Sequence, residues 1–358
     1  MQNLLLFLLL FFTLNLSINT KANNTNPDSK AVKGLVLNII SDQKSQLIDG
    51  EKQRQQLIEI QLSDGRKIET INNIADNLAY KVILKKGDRI LLTEEDDTFF
   101  VEGYEREWVC WALISLFLVL VVLIGQRKGV FAILSLSIKL CILIFALIPL
   151  IKSGFSPILG ASLFSILSTF LTIVFVSGFN NKSLSACLGT IGGIIVSGLI
   201  GAFFVSQAHL SGLMEQETSA LYAQFPAIKI TELISAGVLI GALGACMDVA
   251  ISIASALNEL KEAAPNMQFK DLLKSGMNIG QDIMGTMINT LILAYLGSSL
   301  PIVILITQIQ ATYLFNMELM VKELILSIVG SIGLVLTIPF TALISSYLYT
   351  KYNRPLAK

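Results

Sequence analysis

Acidic, amide and hydroxyl side chains recur at helical spacing inside one long apolar stretch of the sequence. They are Asp248, Ser252, Ser255, Asn258 and Glu259. Residues three or four positions apart share one face of an α-helix. A carboxylate on such a face can bind an ion, a proton or a cationic group, or it can join helices through a buried hydrogen bond. The pattern makes this face a candidate binding or coupling site centred on Asp248.

A second polar face follows in the next apolar stretch. Asn278, Asp282, Thr286 and Asn289 are again spaced by three and four residues. Asp282 stands near the entry of its helix, where an ordinary solvated charge or a charge favoured by the helix dipole explains it equally well. If the two faces meet, they line a polar pocket with Asp248 at its centre.

Small residues repeat on helical faces in two neighbouring stretches, which is typical of closely packed membrane helices. One set precedes Asp248 on its own face: Gly237, Gly241 and Gly244. The other set repeats at intervals of four in the preceding stretch: Gly189, Gly193, Ser197 and Gly201. We expect the second set to be the packing partner of the helix that carries the first.

These faces must lie on helices that cross a membrane. The 358 residues are 53% hydrophobic and only 15% charged, a balance that suits lipid better than water. A crossing needs about 17 to 25 mainly apolar residues, and about seven stretches fit that length. The sequence therefore predicts an α-helical integral membrane protein with a bundle at residues 108–350, which crosses at 108–125, 130–151, 158–176, 184–206, 233–257, 283–306 and 324–349.

The region before the bundle has a different character. Residues 1–22 contain a short leucine- and phenylalanine-rich run, which we interpret as a signal peptide or an uncleaved anchor. Residues 23–107 alternate short β-favouring runs with turn signals, which predicts a small β-barrel-like domain of the OB or SH3 type. Such a domain binds a ligand or partner, or it is a folded cap without one.

The charges between the apolar stretches predict the orientation. With residues 23–107 outside the cytoplasm, nine lysines and arginines fall in the inner connections and only three in the outer ones. This agrees with the excess of cations in cytoplasmic loops, and it makes residues 351–358 a cytoplasmic tail. Lys139 is different, because it lies inside the second predicted span, where it extends to the membrane surface or pairs with Asp248.

Composition argues against several classes of function. Lysine plus arginine and aspartate plus glutamate both total 26, so no basic excess favours nucleic acid. The four cysteines stand singly in or beside separate apolar runs, which argues against a disulfide framework, and His209 alone cannot form a metal cluster. Nucleotide-binding and nucleophile motifs are also absent. We expect no metal, no other cofactor and no enzymatic activity.

Three segments resemble the YibE/F family of bacterial membrane proteins. They are the run 241–260, the segment 315–318 and the segment 330–341. The resemblance covers residues 80–350 and implies a multi-pass protein of the bacterial cytoplasmic membrane. It supports a functional role for a set of polar residues without implying a substrate: Asp248, Asn258, Glu259, Asn316 and Glu318.

The leading hypothesis is translocation of a small solute or ion, with Asp248 as the binding or coupling acid. The alternative is a membrane-anchored scaffold or sensor whose outer β domain binds a protein partner. A third interpretation, an intramembrane aspartyl hydrolase using Asp248 and Asp282, is disfavoured because the two acids are expected at different depths. The lipid bilayer is a partner in each case, and homo-oligomerisation stays open.

Overall fold

The computed structural model describes residues 30–46, 52–75, 82–96, 98–307 and 309–351. The predicted signal peptide or anchor at residues 1–22 lies outside this part of the chain, as does the predicted tail from residue 352 onward. The chain divides into two compact units, Met1–Phe117 and Leu118–Lys358. Each unit has a hydrophobic core of its own.

The first unit contains a five-stranded antiparallel sheet. Its strands are β1 (Lys30–Gln46), β2 (Lys52–Leu62), β3 (Lys67–Ala75), β4 (Arg89–Glu95) and β5 (Thr98–Tyr104). Their order across the sheet is β3-β2-β1-β4-β5. The edge strands curve toward each other, since the Thr70 hydroxyl of β3 donates to the Phe99 carbonyl of β5. The unit is therefore an antiparallel half-barrel, and the OB or SH3 fold stays a prediction.

Alternation of apolar side chains along β2 builds the core of the half-barrel. Ile58, Ile60 and Leu62 point inward and are at most 2% exposed, as period-two alternation requires. A turn at Asp64-Gly65 joins β2 to β3. Gly65 has a φ of +88°, which glycine adopts without strain, and the Asp64 carboxylate accepts a hydrogen bond from the Arg66 amide.

An ion pair links β1 to β2 at the surface of the half-barrel. Arg54 donates from Nε and Nη2 to the two carboxylate oxygens of Asp42, at 2.7 and 2.6 Å. This guanidinium lowers the pKa of Asp42 from 3.8 to about 2. The pair therefore stabilises the sheet above the unfolded-state pKa, and that stabilisation is lost as the pH falls through the folded-state pKa.

The second unit is helical, and the first turns of its first helix belong to the first unit. The helices are α1 (Glu107–Ile142), α2 (Ile148–Lys152), α3 (Pro157–Ser177), α4 (Asn181–Gln207), α5 (Gln216–Gln224), α6 (Ile230–Ala263), α7 (Phe269–Ser298), α8 (Leu300–Ile306), α9 (Ala311–Leu314) and α10 (Glu318–Lys351). A π-helical segment, Leu143–Leu147, joins α1 to α2.

The long helices α4, α6, α7 and α10 pack side by side, and α10 runs antiparallel to both α4 and α7. On α4, Gly189 contacts Thr341 and Gly201 contacts Val329, so α4 and α10 run in opposite directions. On α7, Gly276 contacts Ala342 and Gly280 contacts Ile338, which gives α7 and α10 the same relation. The core of the bundle lies along α6, whose buried side chains pack against α3, α4, α7 and α10.

Four helical segments of the described chain are long and apolar enough to cross a membrane. They are Glu107–Lys152, Asn181–Gln207, Ile230–Ala263 and Glu318–Lys351, and a shorter apolar helix covers Pro157–Ile173. The first segment has 46 residues and contains the first two predicted spans. Its helical geometry breaks between them at Gln126, which has φ 48° and ψ −127°.

The sixth predicted span, residues 283–306, differs from the structure. α7 begins at Phe269 because Gln268 and Asp271 form a reciprocal capping box at its first turn. The helix ends at Ser298, and α8 starts with Pro301 in its first turn, where proline is tolerated. The structure thus supports several membrane-crossing helices, and the count of about seven remains a prediction.

Candidate functional site

The polar face predicted on α6 lies at the surface of the helical unit. Its opposite side is buried, with Val249 and Ile253 both 0% exposed. The polar face contains exposed and half-buried side chains: Asp248, Ser252 and Glu259 are exposed, and Ser255 and Asn258 are half-buried. Asn258 donates to Glu262 on the same helix at 2.7 Å. The five predicted residues therefore share one side of α6, and the described part of the bundle does not cover that side.

The second predicted face lies on the outside of the neighbouring helix. Asp282, Thr286 and Asn289 are all exposed. They lie roughly opposite Gly280, which is buried against α10. α6 and α7 pack side by side through contacts such as Leu257 with Gly276. We call the exposed residues of these adjacent helices the open polar face: Gly244, Asp248, Ser252, Asp282, Thr286 and Asn289.

Asp248 has a single charged side chain within electrostatic range in the described part of the chain. That side chain is the half-buried Lys139 of α1. The two groups form no ion pair within 4.0 Å, and no hydrogen bond to Asp248 is present among the described residues. The structure thus brings Lys139 within electrostatic range of Asp248, and Asp282 lies on the neighbouring helix α7.

The seam predicted on α4 meets two neighbours, α10 and α6. A Cβ added at Gly189 or Gly193 would overlap Thr341 or Thr337, so these two glycines pack on α10. A Cβ added at Gly244 would meet nothing within 4 Å among the described residues, so no described element approaches that glycine closely. The spacing alone could not show the difference, because every helix has several faces and the sequence does not state which neighbour each one meets.

The glycines before Gly244 lie near α7 and α10. A Cβ on Gly237 would lie 3.9 Å from the Leu326 side chain, and one on Gly241 would overlap the Tyr295 hydroxyl. Gly201 of α4 lies near both Val238 and Val329.

Tyr295 and Glu323 are polar residues near the open polar face that sequence reasoning missed. The Tyr295 hydroxyl reaches Gly241 of α6, and both Tyr295 and Glu323 line a small pocket with Ser299 and Ser327. Tyr295 follows Asn289 at a spacing that does not continue the polar face. A tyrosine in an apolar stretch is also typical of an interfacial anchor. The sequence pattern therefore did not indicate Tyr295 as a site residue.

Acidic residues at the start of α6 and α10 organise one end of the bundle. Glu318 accepts hydrogen bonds from the Ser211 hydroxyl and the Gly212 amide. Lys322 pairs with Glu215 at 2.6 Å, and Glu232 accepts from Ser156. Glu318, to which the family resemblance gives a functional role, therefore holds the connection after α4 against α10. Asn316 donates to the Thr312 carbonyl of its own segment.

The described residues contain no group of three or more histidine, cysteine, aspartate or glutamate side chains that could hold a metal ion. The open polar face instead offers isolated oxygens from carboxylate, hydroxyl and amide groups. Such oxygens suit weak and reversible contacts with a hydrated ion or a small polar solute.

A sequence model of the family described as YibE/F-like protein matches residues 113–351. This match covers well over half of the chain. The chain belongs to the YibE/F-like family. The family match includes the whole open polar face and the glycine seam of α4, and it leaves the half-barrel outside. Neither the search of curated proteins nor the search of solved structures found a match.

Proposed function

We propose that this membrane protein translocates a small solute or ion along the open polar face. The observation that carries the proposal is the position of Asp248, an exposed carboxylate near the middle of the 34-residue helix α6. A carboxylate facing lipid at that depth costs about 3 kcal/mol on insertion scales. Binding or coupling is the role that best accounts for an unpaired acid at this position.

Lys139 provides a counter-charge that a cation or proton can displace. In the unloaded site the ammonium is attracted to the Asp248 carboxylate without contacting it closely. A bound cation weakens that attraction. The free energy that favours the present position of α1 relative to α6 then becomes smaller. Ser252, Thr286 and Asn289 supply neutral oxygens that replace part of the hydration shell of the solute.

The test measures flux through the full-length protein in proteoliposomes. Gradients of H⁺, Na⁺, K⁺ and Mg²⁺ are applied in turn, and currents are recorded. Asp248→Asn should reduce the flux by at least about tenfold, because the charged group is lost at the binding step. Asp248→Glu should retain part of it, and Glu217→Gln, which removes an exposed acid in α5, should change nothing.

Two results would contradict the proposal. One is wild-type protein that moves none of these probes, which would exclude the ionic form of the hypothesis. The other is Asp248→Asn protein with wild-type flux, which would remove the acid from the mechanism.

The half-barrel supports a second candidate function, the binding of a protein partner. Ile71 on β3 and Phe100 on β5 point away from its core and are 52% and 54% exposed. Apolar side chains on edge strands are suited to contacts with another chain. A photoreactive residue at position 71 of the full-length protein should give one defined adduct in native membranes. A smear, or an adduct equal to that from exposed Lys67, would count against this function.

A further inference from the structure

We infer that a second copy of this chain covers the open polar face, so that the site around Asp248 is completed between two protomers. The open polar face is exposed on helices of the membrane unit. Its exposed residues include Gly244, Asp248 and Ser252 on α6 and Thr286 and Asn289 on α7. Polar groups at membrane depth are buried in protein or line a watery cavity. A covering element is therefore required, and the described bundle does not provide one.

The charges identify the covering element as another copy of the same chain. A two-fold interface brings one surface against itself, so that surface must be complementary to itself. Here the acid Asp248 lies within electrostatic range of the base Lys139, yet they form no ion pair within one protomer. At the inner end of the same helices, exposed Glu259 of α6 is accompanied by exposed Lys274 of α7. A surface with both signs of charge fits itself in a two-fold arrangement.

The small residues on the face allow the second copy to approach. A Cβ added at Gly244, or at Gly285 three residues after Asp282, would meet nothing within 4 Å among the described residues. Small residues at helix surfaces are used in membranes to bring a partner helix close. We therefore place Lys139 of each protomer opposite Asp248 of the other, with the hydroxyl and amide groups lining the enclosed space. The interface follows from this burial argument, whereas conduction through the enclosed space rests on the proposed function.

The test uses two differently tagged full-length copies expressed together and extracted from membranes directly into lipid nanodiscs. Wild-type copies should co-purify. Asp248→Lys alone, or Lys139→Asp alone, should lower co-purification by about tenfold, because each places like charges across the interface. Asp248→Lys in one copy together with Lys139→Asp in the other should restore it, because both contacts between the copies then join opposite charges.

Controls separate this interface from folding and from transport. Glu217→Lys alters charge away from the face and should leave co-purification unchanged. A bis-maleimide should join two Gly244→Cys chains in intact membranes and should not join two Leu199→Cys chains, although Leu199 is 68% exposed. Wild-type copies that never co-purify or crosslink would overturn the inference, and so would variants whose mixture is no better than each alone. A single-copy protein with full flux would contradict the interface and leave the proposed function intact. A paired protein without flux would support the interface and contradict the proposed function.

Discussion

The α4–α10 seam and the open polar face have similar residue patterns and opposite environments. Each has glycines and hydroxyl residues spaced by three or four along an apolar helix. In the seam, Ser197, Thr337 and Thr341 are all 0% exposed. On the open polar face, Ser252 and Thr286 are exposed. Small-residue spacing thus identifies a helix face that serves packing or binding. Which of the two it serves depends on what covers the face.

The chemistry of the polar groups explains why the seam can be buried. The Thr337 hydroxyl donates to the Gly333 carbonyl one turn earlier at 2.9 Å, and Ser197 donates across to the Val329 carbonyl at 3.1 Å. A hydroxyl in a helix can thus be satisfied by the backbone. The Asp248 carboxylate only accepts hydrogen bonds when ionised, and helix backbone offers it no free donor. The seam is therefore suited to packing and the open face to binding.

The largest effect should come from adding bulk to the seam. Gly193→Leu should prevent accumulation of folded protein, because even a Cβ there overlaps Thr337 and overpacking costs about 1 to 3 kcal/mol or more. Gly244→Leu is the matched change on the open polar face, and it should leave the melting temperature of a single copy within a few degrees. The yield of folded protein checks the first change, and a thermal melt in detergent checks the second. Equal destabilisation would mean that the two regions pack alike.

The next effect concerns access of water to hydroxyl positions. In a background with the native cysteines replaced by alanine, Ser252→Cys should react with a small charged methanethiosulfonate. Ser346→Cys should react more slowly by about tenfold or more, because reaction needs an accessible thiolate and Ser346 is 0% exposed. Labelling rates in native membranes measure the difference. Comparable rates would remove the distinction between a closed seam and an open face.

The smallest effect should come from removing single hydroxyl groups. Ser197→Ala leaves the Val329 carbonyl without its side-chain donor and should destabilise the bundle by about 1 kcal/mol. Thr286→Ala removes an exposed hydroxyl bonded to Ile283 of its own helix and should change stability by less than about 0.5 kcal/mol. Chemical denaturation of each variant and of the wild type measures these changes in the free energy of unfolding. A larger loss at Thr286 would indicate a contact that the single chain does not contain.

Local patterns determined which residues share a helix face and where several elements lie. Spacing by three and four predicted that Asp248, Ser252 and Glu259 share one side of α6, and all three are exposed. Alternation along β2 likewise places Ile58 and Ile60 on its buried side. These patterns depend only on the periods of helix and strand. The start of α7 at Phe269 was missed because its charged first turns lack the apolar signal of a membrane span.

Only the tertiary structure decided which face meets which neighbour. The sequence could not show that Gly189 and Gly193 of α4 lie against Thr341 and Thr337, whereas Gly201 also meets Val238 of α6. It also could not show that the Asp248 face stays uncovered while Lys139 comes within electrostatic range. The physical reason is that periodicity fixes directions around one helix axis, whereas contacts depend on how several axes are arranged. Residues far apart in the chain, such as 139 and 248, meet only through that arrangement.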